Sequence, residues 1–153
     1  MRPTVATADQ TYCDPSALRS IYLHDPRSRG MTTWRATVSG ALPMTKFVSA
    51  EMANAFALAE FRGEIDAARH SAVVAHFSAD FSEGRFTSAD LLWRAALDRA
   101  AELSRAHSTI LGTRALDVLH VASALELGAR TFVTYDTRQA ALASAVGLKT
   151  LAP

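Results

Sequence analysis

Four carboxylates in this chain stand where chemistry could use them. Asp14 lies in "TYCDPSAL", between a short β-prone run and an apolar helical one. Glu51 follows "TKFVS" by two residues, Asp117 interrupts the apolar run "RALDVLHVASAL", and Asp136 closes "RTFVTYD". Three of them also have a purely structural role open to them. Asp14 before Pro15 matches a helix N-cap with proline at the first helical position. Glu51 near a helix start complements the macrodipole, and Asp136 before Thr137 reads as a cap or turn. Asp117 is harder to account for, because its helix should be largely buried, with Val121 and Ala124 on the same face. A lone buried carboxylate is costly unless it is paired or binds a metal. Arg114, one turn back, could supply the pair. His120 reads as a packed or hydrogen-bonding residue, since one His without further His or Cys neighbours is a poor zinc signature. Four facing carboxylates repel one another without a cation. An oxygen-only cluster suits Mg²⁺, or Mn²⁺ in its place, and such ions support phosphodiester hydrolysis.

The elements that must position these acids alternate between strand and helix. Gln10–Cys13 reads as a first strand and Ser16–His24 as a helix, with Leu18, Ile21 and Tyr22 at helical spacing. "HDPRSRG" breaks it, and "TTWRATVSGALP" reads as a second helix closed by Pro43. "TKFVS" reads as a short strand, followed by the helix "SAEMANAFALAEFRGEI" with Ser49 as its cap and Glu51 in its first turn. "IDAARHSAVVAHFSADFSEG" is helical after a break near Gly63, and "RFT" is a short strand. Ser88 is expected to cap a long helix running to about Arg105. "TRALDVLHVASALELG" is a helix stopped by Gly128, "RTFVTYD" a compact β-branched and aromatic strand, "TRQAALASAVG" a helix, and "LKTLAP" a last strand. This alternation predicts an α/β fold with a parallel sheet covered on both faces. In such sheets sites form outside the carboxyl ends of the strands, where Asp14, Glu51 and Asp136 should converge.

Composition narrows the function classes. The chain has 153 residues, 49% of them hydrophobic and 20% charged, which fits a domain with a real core. A formal net charge of +1 provides no global field for a polyanion, so nucleic-acid binding would need a local patch. Arg27 and Arg29 in the "HDPRSRG" loop are candidates for such contacts, or simply solvate it. Cys13 is the only cysteine, which excludes an internal disulfide and a thiolate cluster and fits a reducing cytosol. Residues 1–9 read as a loose tail without a secretory signal, and no stretch reaches the roughly 20 apolar residues of a membrane span. Glycine-rich phosphate loops and dinucleotide fingerprints are absent. Aspartyl-phosphate chemistry would want a second acid two residues after Asp14, where Ser16 stands.

From Thr11 to Pro153 the chain resembles the PIN domain, and within it the VapC ribonuclease toxins of bacterial toxin–antitoxin pairs. "YCDPSAL" resembles the family's opening Asp-x-Ser-Ala segment, and "VSAEMANAF" the segment that carries its glutamate. "LGTRALDVLHVASALELGARTFVTYDTRQAALASAVGLKTL" matches in motif, order and spacing. The resemblance implies a three-layer α/β/α fold around a mostly parallel sheet in one domain over residues 10–153. It implies Mg²⁺-dependent RNA cleavage by Asp14, Glu51, Asp117 and Asp136, supported by Ser16 and Thr134, with Arg114 as a phosphate contact or acid partner. It also implies an antitoxin protein as partner, a homodimer and no membrane association. Pro15 and Cys13 stand where the family more often has other residues. The alternative from another class is a binding module of the same fold without turnover, sequestering RNA or acting with an antitoxin in regulation.

Overall fold

The computed structural model describes residues 7–153. Five short strands, all paired in parallel, form two ladders rather than the one sheet expected. β1 (Thr11–Cys13), β4 (Thr131–Val133) and β5 (Lys149–Leu151) make a three-stranded ladder in the order β1-β4-β5, while β2 (Leu42–Met44) pairs with β3 (Phe86–Ser88). β2 runs beside β1 without ladder bonds between them. Helices α1 (Pro15–Tyr22), α2 (Ser28–Thr37), α3 (Lys46–Phe61) and α4 (Ala67–Ser82) pack on one another as one layer. The second layer holds α5 (Trp93–Leu103), α7 (Ala115–Glu126) and α8 (Thr137–Ala145). α5 runs through a π turn, Ser104–Ser108, into the single turn α6 (Thr109–Leu111). The result is the expected three-layer α/β/α arrangement. One continuous core joins its parts, with Leu18, Met52, Phe56, Val121, Phe132 and Leu142 all at 1% exposure or less.

Register brings the site residues together. Thr11, Tyr12 and Cys13 pair with Thr131, Phe132 and Val133, so Asp14 and Thr134 leave neighbouring strands at the same level. The Asp14 amide donates to the Val133 carbonyl at 3.1 Å and the Thr134 amide to the Leu151 carbonyl at 3.0 Å. Side-chain caps then start the helices. Asp14 accepts from the Ala17 amide at 3.3 Å, with Pro15 next to it, and Asp136 accepts from the Arg138 and Gln139 amides at 2.8 and 3.1 Å. Gly128, at φ +71°, terminates α7 as expected.

Several boundaries differ from the sequence expectation, each for a local reason. "TKFVS" is not a strand: Thr45 caps α3 through the Val48 amide at 3.2 Å, and Val48, Met52, Phe56 and Ala59 form a buried helical stripe. Ser49 therefore lies inside the helix, and Glu51 sits beyond its first turn. The second helix begins earlier, at Ser28, and ends at Thr37, while Pro43 occupies the middle of β2. Ser88 ends β3 instead of capping α5, whose first residue is Trp93. Residues 1–6 of the expected tail lie outside the described residues. Thr7 bridges to Ser39, and Ala8 is buried in a short 3₁₀ turn.

Arg35 locks the connection between α2 and β2. It is 6% exposed, and its guanidinium donates to the carbonyls of Val38 at 2.8 Å and of Gly40 and Arg85 at 3.0 Å. The Val38 and Gly40 carbonyls, and the Arg85 carbonyl that also accepts from the Leu42 amide, are thus gathered by one planar donor set, which lysine cannot reproduce. Arg35→Met is expected to cost about 3 kcal/mol, because carbonyls inside the fold lose their donors. Arg35→Lys is expected to recover only part of that loss. Urea unfolding of the two variants checks this, and a loss below about 0.5 kcal/mol in both would contradict it.

Candidate functional site

Asp14 is the centre of the site. It is 2% exposed at the end of β1. Its Oδ1 accepts from the Ser16 hydroxyl at 2.7 Å as well as from the Ala17 amide. The Ser16 Oγ in turn lies 3.2 Å from the Thr134 Oγ1 and accepts from the Tyr135 amide at 3.0 Å. Thr134 Oγ1 accepts from the Asp136 amide at 2.9 Å. Two hydroxyls therefore tie the exit of β1 to the exit of β4, and with it Asp14 to Asp136.

Asp117 joins through a residue that the sequence reading missed. Gln139 is buried and its Nε2 donates to Asp117 Oδ1 at 3.2 Å. Asp136-x-x-Gln139 has the spacing of a capping pair, and this was the available signal. The Asp136 amide is already taken by Thr134, so the Gln139 side chain turns to Asp117 instead. Its Oε1 is buried without a hydrogen-bond partner. The other Asp117 oxygen accepts from the Arg114 backbone amide at 3.1 Å. The Arg114 side chain is exposed and makes no ion pair with Asp117.

Glu51 is held separately. Its Oε2 lies 2.6 Å from His120 Nε2, and His120 Nδ1 lies 2.7 Å from the Tyr12 hydroxyl. His120 is thus a hydrogen-bonding residue, as expected of a histidine without His or Cys neighbours. Tyr12 carried no signal in the sequence beyond its strand propensity. Of the loop arginines, Arg27 stacks over the Tyr135 ring at 4.5 Å and Arg29 is exposed.

The electrostatics are one-sided. Among the described residues no Lys or Arg side chain forms an ion pair with Asp14, Glu51, Asp117 or Asp136, whereas four other acids, Glu60, Glu64, Glu126 and the buried Asp80, do have cationic or histidine partners. Burial pushes the Asp14 carboxyl above its ordinary value, and the Ser16 hydrogen bond, the attraction of His120, the Thr134 hydroxyl and the Ala17 amide only partly offset this. Burial, then the charges of Asp14 and Glu51, likewise raise the Tyr12 hydroxyl. The donor set is made of hard oxygens, which matches Mg²⁺ or Mn²⁺ in chemistry. Among the described residues, however, no three Asp, Glu, His or Cys side chains converge closely enough to hold an ion as they stand. Asp117 and Glu51 would have to exchange Gln139 and His120 for the ion.

No family model matches the sequence, and no curated protein matches it. Among solved structures the chain is similar to PAE2754 from Pyrobaculum aerophilum, with a TM-score of 0.59 and 18% identity over 92% of this chain and 88% of that one. At that identity the likeness concerns the fold, and it supports the three-layer α/β architecture. Among the described residues no helix is long and apolar enough to cross a membrane.

The buried Asp14 has a measurable consequence. The folded chain binds the Asp14 proton more tightly than the unfolded chain does. Ionisation therefore costs stability above the folded value, and the cost fades as pH falls through that value. Asp14→Asn keeps a cap acceptor and removes the charge. Its metal-free melting temperature is expected to exceed that of the original chain at neutral pH, with about 1 kcal/mol corresponding to about 2–4 °C for a chain of this size. The difference should shrink on acidification. A variant that melts lower at every pH would contradict the assignment of Asp14 as an uncompensated buried charge.

Proposed function

We propose that this chain is a divalent-cation-dependent endoribonuclease of PIN-domain type, acting as the toxin of a VapC-like toxin–antitoxin pair in the cytosol. One observation carries the reading. A nearly fully buried carboxylate, Asp14, stands without a basic partner at the end of a central strand, in a hydrogen-bond network that also holds Asp136 and Asp117. Such an arrangement is costly in an apoprotein and favourable around a cation.

Asp14, Glu51, Asp117 and Asp136 would hold Mg²⁺, with Mn²⁺ able to replace it. The ion, when bound, supplies charge that neutralises a phosphodiester and activates water for its hydrolysis, leaving 5′-phosphate and 3′-hydroxyl ends. The chain's own residues do the orienting. Ser16 holds the Asp14 carboxylate and Thr134 the Asp136 backbone amide at the two strand exits. Arg114, exposed at the start of α7 directly before the Asp117 turn, would meet a phosphate of the RNA. A partner protein could silence the site by seating an arginine fork against the carboxylates. For such a partner to dock on, α3 leaves Phe61 at 87% exposure and α4 leaves Val74 at 42%, while Phe56 and Val73 are in the core. A homodimer is part of the same reading.

One observation favours a second reading, a PIN-fold module that binds RNA or an antitoxin without turnover. Glu51 and Asp117 are engaged by protein hydrogen bonds rather than gathered with Asp14. Assay of the purified chain on RNA oligonucleotides with Mg²⁺ or Mn²⁺ separates the two. Asp14→Asn, Glu51→Gln, Asp117→Asn and Asp136→Asn are each expected to lower kcat/KM by about 100-fold or more, equivalent to about 2.7 kcal/mol of transition-state stabilisation. A double variant should be little worse than a single one, since the acids act as a unit. Expression of the original chain should arrest growth, and Asp14→Asn should abolish the arrest. Equal toxicity from that variant would favour the binding module.

A further inference from the structure

Arg27 is held in place without an acidic partner. The loop that carries it is organised by Asp25, whose Oδ2 accepts from the Ser20 hydroxyl and whose Oδ1 accepts from the Arg27 amide, both at 2.7 Å. The Asp25 amide donates to Ser28 Oγ at 2.9 Å, and that hydroxyl donates to the Leu23 carbonyl at 3.1 Å. α2 starts directly after Arg27 and fits closely against Pro153, since a Cβ added at Gly30 would lie 2.8 Å from the Pro153 main chain. The Arg27 guanidinium lies over the Tyr135 ring, 4.5 Å from its centroid.

Tyr135 is fixed at both ends. Its amide donates to Ser16 Oγ at 3.0 Å, and its hydroxyl donates to the Pro153 main-chain oxygen at 2.6 Å. Ser16 is the residue that holds Asp14, and Asp136 directly follows Tyr135. The stack therefore puts a cation one side chain away from the two strand exits. Among the described residues Arg27 forms no ion pair, with Asp25 and Pro153 included, whereas Arg19, Arg85 and Arg99 each have a carboxylate. The Arg27 side chain is exposed. A guanidinium on an aromatic face gains from the ring and keeps its N–H groups free for an anion. Because the loop and the ring are already ordered, less entropy is lost when that anion binds.

We propose that Arg27, stacked on Tyr135, binds a backbone phosphate of single-stranded RNA beside the carboxylates. This rests on the RNA-directed reading above and holds for the nuclease and for the binding module alike. A formal net charge of +1 gives the chain no general field for RNA, and the unpaired acids repel it, so local cations must hold the strand. Arg27 supplies one on the β4 side of the site, with a planar fork that matches a phosphate.

Fluorescence anisotropy of a labelled single-stranded RNA oligonucleotide with the full chain, in EDTA so that nothing is cut, tests this. Arg27→Gln is expected to weaken binding about 5–10-fold and to flatten the slope of log K against log salt by about 0.7, the share of one phosphate contact on a single strand. Arg62→Gln removes the same charge from the exposed far end of α3 and should change affinity by less than about twofold. Arg27→Lys should keep the salt slope but recover only part of the affinity, because it lacks the flat fork. In Mg²⁺, Arg27→Gln should raise KM for RNA by the same factor as it weakens binding and leave kcat within about twofold, as for an interaction equal in ground and transition states. If the original chain cuts no RNA, the nuclease reading falls and the anisotropy comparison alone decides the proposal. An Arg27→Gln chain with unchanged affinity and salt slope, or one that loses no more than Arg62→Gln, overturns the proposal and leaves the nuclease reading standing. An original chain that neither binds nor cuts RNA removes that reading and this proposal together.

Discussion

The structure depends on one unfavourable burial. Asp14 must leave β1 at the level where β4 also ends, because the parallel ladder pairs Cys13 with Val133 and bonds the Asp14 amide to the Val133 carbonyl. The same carboxylate must then start α1 by capping Ala17. A strand end and a helix start together give the side chain a fixed direction, and that direction is into the protein. Desolvating a carboxylate there costs stability. The surroundings answer with hydroxyls and an amide rather than with a lysine or arginine. That choice leaves the charge uncompensated.

The neighbours of Asp14 repeat the logic at longer range. Thr134 occupies on β4 the position that Asp14 occupies on β1, and Asp136 caps α8 as Asp14 caps α1. Ser16 joins the two exits. Gln139, one turn into α8, hands the network on to Asp117 in the opposite helix of the same layer. Glu51 and His120 meet from α3 and α7, which lie in different layers. Asp14, Asp117 and Asp136 are therefore each positioned by a backbone amide, and Glu51 by the His120 ring.

Much of this was legible in the sequence because caps and periodic apolar faces are local signals. Asp14-Pro15, Asp136-Thr137 and Gly128 mark element boundaries through backbone geometry, and the burial of Asp117 followed from the apolar run around it. The errors arose where a local signal had two meanings. "TKFVS" has strand-like residues, yet Thr45 can cap, and Val48 gains more by joining the Met52–Phe56 stripe than by pairing in β2. Ser88 resembles a cap but is drawn into pairing with Met44. Pro43 resembles a helix stop but sits in a strand, where φ near its fixed value is acceptable. The partners of the acids were least accessible. Tyr12 and His120 are 108 residues apart, and nothing in either segment announces the other. Gln139 carried a capping pattern whose backbone half was already occupied by Thr134.

The central claim is that Asp14, Glu51, Asp117 and Asp136 form one site for a hard divalent cation, with Glu51 and Asp117 changing partners to do so. Anomalous diffraction from crystals grown with Mn²⁺ tests it most directly. One or more manganese peaks are expected, coordinated by Asp14 and Asp136 at the carboxyl ends of β1 and β4, with Glu51 and Asp117 turned toward them. Crystals in millimolar Mn²⁺ with no peak at those carboxylates, and with Glu51 still on His120 and Asp117 still on Gln139, would contradict it.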